Sequence, residues 1–417
     1  MNGKISFGRL NPLTGSLLGA VFGFSLFCTD ASADWLHYRG PAFNGSSTEK
    51  LPATLPSESP RQLWKASLGV GTSAITVSNG RIYSMGNLND KDVVYCLDAK
   101  TGKEVWRHEY PLGLDKRMFE GGPASTPTLD GEHVYTVSHQ GDLFCLEAAT
   151  GKKIWYKHYQ KDLGGRRPQW GFAGSPTVEG RMLLLDVGGE SASTVALDKS
   201  TGAVLWKAGN DEAGYASPVV ATIGGKRTAI LFKENALVGL DIKDGRELWR
   251  SGWKTSYGVN AATPIVLPGD KIFISSGYGS GCALIAIANG KATELWRNKN
   301  LKSQVNTPVA FQNHIYGLDG QADPKSPLVC LDAARGSVVW TDKSVGGGSL
   351  VIADGKLIIL SERGELLIGD ASPAGFKPVL RAQVLGGRCW VQPTYSGGKV
   401  FAKNNQGELV ALDLSSK

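Results

Sequence analysis

The sequence predicts an all-β chain: an eight-bladed β-propeller of four-stranded antiparallel blades, closed into a ring by pairing of its N- and C-terminal strands. Three observations carry this. A phrase made of a small residue, Leu, Asp, two spacers, Thr, Gly, three more residues and Trp recurs along the 417 residues, and a repeat of about 40–50 residues marks propeller blades. Trp64, Trp106, Trp155, Trp206, Trp249, Trp296 and Trp340 stand 42, 49, 51, 43, 47 and 44 residues apart. Finally, Trp64 has no turn before it, and the last turn, at Asp413, has no tryptophan after it, so the two ends complete one unit.

The clearest copy runs from Cys96-Leu97-Asp98 through Thr101-Gly102 to Trp106. Val93 to Leu97 reads as a strand, Asp98 to Gly102 as a tight turn, and Glu104 to Trp106 as the returning strand of a hairpin. The Asp98 carboxylate can accept hydrogen bonds from turn amides, and Gly102 supplies the positive φ the turn requires. The tryptophan then contributes ~2–3 kcal/mol if largely buried, and its ring is expected to dock on the small residue of a neighbouring unit. The phrase returns at Cys145 to Trp155, Ala196 to Trp206, Gly239 to Trp249 and Cys330 to Trp340. Two copies are degraded. The fifth has Ala286-Ile287-Ala288 with a shifted Gly290, and the seventh has Asp370 but Val379 or Leu380 where tryptophan belongs.

In chain order, residues 1–33 read as a signal peptide. Lys4 and Arg9 precede an apolar run from Leu13 to Phe27, and Ala31-Ser32-Ala33 offers a cleavage site,. Cleavage leaves a chain with no apolar stretch long enough to cross a bilayer, so an exported protein, periplasmic or secreted, is expected. Residues 34–60 form an irregular leader, expected to lie against the body through Trp35 and Tyr38. Residues 61–417 are the propeller. Each unit opens on small residues, usually before proline: Ser73-Ala74, Ser125-Thr126-Pro127, Gly174-Ser175-Pro176, Ala216-Ser217-Pro218, Ala262-Thr263-Pro264, Asn306-Thr307-Pro308, Gly348-Ser349 and Gln392-Pro393. Small side chains suit the narrow axis on which the blades converge. A turn such as Asn79-Gly80 or Asp354-Gly355 then leads into the second strand,.

The net charge is +7, of which the signal region carries +1 through Lys4, Arg9 and Asp30, leaving +6. No basic run is interleaved with aromatics, so nucleic acid is not an expected partner. Five cysteines lie beyond the signal. Cys96, Cys145 and Cys330 fill the small-residue slot of the repeat, which predicts buried free thiols, and no Cys/His spacing fits a metal,. The histidines are scattered, none near a recognisable nucleophile turn,.

The repeat phrase resembles the tryptophan-docking repeat of the PQQ-like propeller family, found in quinoprotein dehydrogenases and in the outer-membrane assembly lipoprotein BamB. The resemblance covers residues 60–417 and implies an eight-bladed propeller. Its dehydrogenase branch implies pyrroloquinoline quinone and calcium held beneath a disulfide between adjacent cysteines, a pair this chain lacks. A non-enzymatic interaction scaffold at the cell envelope, similar to BamB, is therefore expected, monomeric and without a cofactor. A quinoprotein alcohol or sugar dehydrogenase using that quinone is the alternative.

Propeller ligands gather on the face where loops enter the first strands. Two such loops are long, 113–122 and 163–172. They bring Arg117, Arg166, Arg167 and Trp170 toward Tyr257, Asn260, Arg388 and Trp390, with Lys233 nearby. Guanidiniums pair with carboxylates in two-point fashion and aromatic faces stack. The expected partner of this face is an envelope protein, or an anionic polymer or glycan.

Overall fold

The computed structural model describes residues 1–4, 8, 34–320 and 325–415. Residues 1–4 and 8 belong to no strand or helix, and the rest of the expected signal peptide lies outside the described residues. From residue 34 onward the chain folds into eight antiparallel four-stranded sheets arranged as blades, one of them extended by a fifth, parallel strand. Seven blades take their strands in chain order, over residues 76–111, 128–158, 177–208, 219–252, 265–298, 309–342 and 348–383. The eighth combines Thr394–Ser396, Lys399–Lys403 and Glu408–Asp413 with Arg61–Ser67 from the other end of the chain. Trp64 lies opposite Ala411 there, which closes the ring. Both degraded copies form complete blades, and Leu380 rather than the exposed Val379 takes the tryptophan position of the seventh.

The turns behave as their residues dictate. Asp98 Oδ1 accepts from the Lys100 and Thr101 amides at 3.1 and 2.8 Å and from the Thr101 hydroxyl at 2.7 Å. Asp198 repeats the arrangement. Just before each tryptophan position the outer strand carries one unopposed residue: Val105, Ile154, Leu205, Leu248, Leu295, Val339, Val379 and, in the closing strand, Leu63. All eight are apolar. Such a bulge adds local twist and re-aims the next side chain, here toward the following blade.

The tryptophans dock differently from the sequence-based expectation. The small residue lies opposite the tryptophan of its own blade, as Cys96 does Trp106 and Gly239 does Trp249. A Cβ on Gly239 would stand 2.1 Å from that ring. The neighbouring blade contributes its turn glycine instead: Gly102, Gly151, Gly202, Gly245 and Gly336 lie against Trp64, Trp106, Trp155, Trp206 and Trp296. Glycine is needed at these turns twice over, for a φ near +70° and for the space under the indole,. Each indole N–H then donates to a carbonyl beside that turn, as Trp64 to Ala99 at 3.2 Å, Trp206 to Ile242 at 3.1 Å and Trp340 to Ser372 at 3.0 Å.

Trp249 is the exception. It faces the fifth blade, whose third strand ends in the two-residue turn Asn289-Gly290 in place of the longer loop, and its buried N–H has no partner among the described residues. Trp206→Phe should therefore cost about 1 kcal/mol more than Trp249→Phe, the net worth of one hydrogen bond. Urea unfolding of the two variants checks this, and equal losses would remove the bond from the account.

At the axis the Ser and Thr hydroxyls do more than save space. Thr126 Oγ1 accepts from the Ala74 amide, Ser175 Oγ from the Thr126 amide, Ser217 Oγ from the Ser175 amide and Thr307 Oγ1 from the Thr263 amide, at 2.9–3.0 Å. Each joins one blade to the next. Cys96, Cys145, Cys282, Cys330 and Cys389 are free and buried, and burial pushes the Cys96 and Cys330 thiols up to about 11 and the other three to about 12.

The leader crosses the ring on the side of the first-to-second strand turns. Asp34 accepts from Ser78 and the Asn79 amide, and Trp35 bridges to Val77, all in the first blade. The Leu36 carbonyl accepts from Leu129 of the second. Ser46–Ser47 adds the parallel strand to Gly348–Ala353 of the seventh, and Glu49 caps the Gly397 and Gly398 amides of the eighth. Between these anchors, the buried Arg39 donates to the carbonyls of Asn44, Thr307 and Pro308 and to Gln392 Oε1.

Candidate functional site

A cavity of about 330 Å³ lies on the axis. Tyr38 of the leader contributes to its lining, next to the Arg39 crossing, and small residues just before the inner strands, such as Ala74, Ala124 and Ser175, form its walls. Around the opening stand Phe119, Trp170, Tyr215, Tyr278 and Trp390. Phe119 is 76% exposed and meets Trp390 edge-on, with ring centroids 4.8 Å apart. Tyr257, 68% exposed, meets Tyr278 edge-on at 5.3 Å.

The long loops hold this opening through charge pairs. Asp115 accepts from Arg117 at 2.7 Å and from Arg167 at 2.6 Å, tying loop 113–122 to loop 163–172. Hydrogen bonding from Arg117, with Arg167 adding to it, holds the Asp115 carboxyl well below the usual carboxylate range. Arg167 also donates to the carbonyl of His139. That buried imidazole has no hydrogen-bond partner on either nitrogen among the described residues, and burial pushes it down to about 4, so it is neutral at physiological pH. Arg388 pairs with Glu120 at 3.0 Å and lies over the rings of Trp390 and Phe119, at 4.9 and 5.4 Å.

The residues picked out from sequence thus separate. Trp170 and Trp390 line the cavity, and Tyr257 stands beside it on Tyr278. Arg117, Arg167 and Arg388 lie in the surrounding loops, each answered by a carboxylate, while Arg166 pairs away from them with Glu212. Asn260 does not reach the face: it is buried, donating to the carbonyls of Lys233 and Glu234 and accepting from Ser276. Lys233 is likewise buried, 2.6 Å from Asp186. Sequence reading passed over Phe119, Tyr278 and the leader's Tyr38 as cavity residues. A glycine-bounded aromatic, as in Met118-Phe119-Glu120-Gly121-Gly122, was the available signal for the first.

Fold and site together define an eight-bladed propeller with a blind, aromatic-lined axial pit. The profile of the PQQ-like repeat family described as outer membrane protein assembly factor BamB matches residues 55–119, 90–342 and 324–417, and the chain belongs to that family. It is 26% identical over 348 residues to the outer membrane protein assembly factor BamB of Burkholderia pseudomallei, spanning 80% of each chain. Among solved structures, BamB from Moraxella catarrhalis superposes with a TM-score of 0.62 at 15% identity, covering 85% of this chain and 99% of that one. The quinohemoprotein alcohol dehydrogenase of Comamonas testosteroni gives 0.65 at 13% identity, covering 92% and 81%. At such identities these two likenesses establish the fold alone.

Proposed function

We propose that this protein is a non-enzymatic scaffold of the cell envelope, exported and cleaved after Ala33, that presents the rim of its axial pit to a protein partner in outer-membrane protein assembly. The observation that carries the reading is the rim itself: Phe119 and Tyr257 stay exposed beside a cavity whose neighbouring charges are already cancelled within the protein. Apolar aromatic surface edged by satisfied polar groups is the composition of a protein-binding patch. The relatives named as BamB point the same way. Among the described residues no helix is long and apolar enough to cross a membrane.

The donor set does not fit a quinone–calcium pair. Among the described residues Glu120 is the one carboxylate lining the cavity, and it is bound to Arg388. No group of three or more His, Cys, Asp or Glu side chains able to hold a metal occurs among the described residues, whereas calcium takes six to eight oxygens. A photo-crosslinking residue at position 119 or 257 is expected to capture an outer-membrane assembly subunit in intact cells, while the same residue at the outer-strand position 105 does not. Dye-linked alcohol or sugar oxidation that depends on added quinone and calcium would overturn the scaffold reading.

A further inference from the structure

We propose that the axial pit is an anchor pocket, which receives one uncharged aromatic side chain carried on an internal turn of the protein partner. This deepens the scaffold reading and rests on it. The pit is blind, because the leader with Tyr38 and Arg39 crosses the far side of the axis. A guest must therefore enter end-on through the rim, and a strand cannot thread the ring. At about 330 Å³ the pit lies at the small end of ligand pockets, which start at roughly 300 Å³,, a space suited to a side chain and its backbone but not to a folded element.

Charge narrows the guest further. Among the described residues a chain's terminal carboxylate would find no free cation here, since Arg117, Arg167 and Arg388 are held by Asp115 and Glu120. A terminal ammonium would find Glu120 already paired. Burying either charge unmatched is costly, so an internal residue is favoured over a terminus. The walls then select aromatic character. Phe119, Trp170, Tyr215, Tyr278, Trp390 and Tyr38 surround the space with rings, and edge-to-face contacts between rings stabilise a guest ring beyond its buried area.

The wall also keeps buried polar atoms with no partner among the described residues: Oε1 of Gln304, Nε2 of Gln392 and the indole nitrogens of Trp170 and Trp390. Buried aromatic anchors in such pockets dominate interface energies. A neutral saccharide would share the ring stacking, but it requires many accessible polar groups, and these four atoms are tucked into the wall.

The purified protein titrated calorimetrically with N-acetylphenylalaninamide is expected to bind it saturably, one per chain. N-acetylphenylalanine and phenylalaninamide, which carry a free carboxylate and a free ammonium, should each bind roughly tenfold more weakly. Trp390→Ala should weaken the neutral amide roughly tenfold and Trp390→Phe should restore most of the loss. Phe119→Ala, at an exposed position, gives the same test should Trp390→Ala fail to fold. No saturable binding, equal binding of the charged probes, or tighter binding of maltose would each overturn the proposal, the last by assigning the pit to a neutral sugar. Crosslinking from the rim alongside a silent titration would remove the anchor pocket and leave the scaffold reading standing.

Discussion

Lys403→Met should raise stability by roughly 2–4 kcal/mol below pH 7 and lose that advantage as the pH climbs toward 10.5,. Lys403 lies in the second strand of the eighth blade, wholly buried, and donates to the Met85 carbonyl at 3.0 Å and to Ser84 Oγ at 3.5 Å in the first blade. Among the described residues no carboxylate stands within ion-pair distance of it. Burial pushes its amine down to about 7 from the ordinary 10.5. Below 7 the fold therefore shelters an uncompensated ammonium and bears the full penalty. Between 7 and 10.5 the folded state sheds the proton while the unfolded chain keeps it, so the parent gains stability with rising pH. Methionine removes the penalty at every pH, and only the gap to the parent changes. Urea midpoints across this range decide it; a gap that does not vary with pH would show that the amine stays charged throughout.

Trp64→Ala is the second large effect, a loss of about 3–5 kcal/mol typical of emptying a buried tryptophan site. The indole belongs to the N-terminal strand, lies opposite Ala411 at the C-terminal end, and rests on Gly102 with its N–H on the Ala99 carbonyl of the first blade. One ring thus joins the closing strand, the last sheet and the first blade. Its removal should also speed protease cutting within residues 61–67. Unfolding as stable as that of the parent would show that closure does not depend on this contact.

What could be read from sequence divides along physical lines. The Asp-x-x-Thr-Gly-x-x-x-Trp phrase is local: carboxylate, turn and ring lie within nine residues, so the blades, their number and the shared eighth sheet were legible. The target of each ring was not, because Gly102 stands 38 residues from Trp64 and looks like any turn glycine. Apolar residues at the bulge positions, from Leu63 to Val379, were visible but carried no meaning until the register was known. The arginines mislead for a related reason. Sequence counts charges without their partners, and Asp115, Glu120 and Glu212 cancel them only once the loops fold together. Arg39 looked like a leader residue and Asn260 like a loop residue. Both are buried, held by carbonyls from distant segments.

The leader fastens the seam of the ring a second time. Before its chain becomes the closing strand of the eighth blade it has already been pinned to the first, second, sixth and seventh. A load applied at the amino end is therefore taken up by Trp35, Arg39 and the Ser46–Ser47 pairing, and reaches the hydrogen bonds between Arg61–Ser67 and Glu408–Asp413 only after those have given way. The joint at which the two ends of the chain meet is in this way placed out of the line of tension.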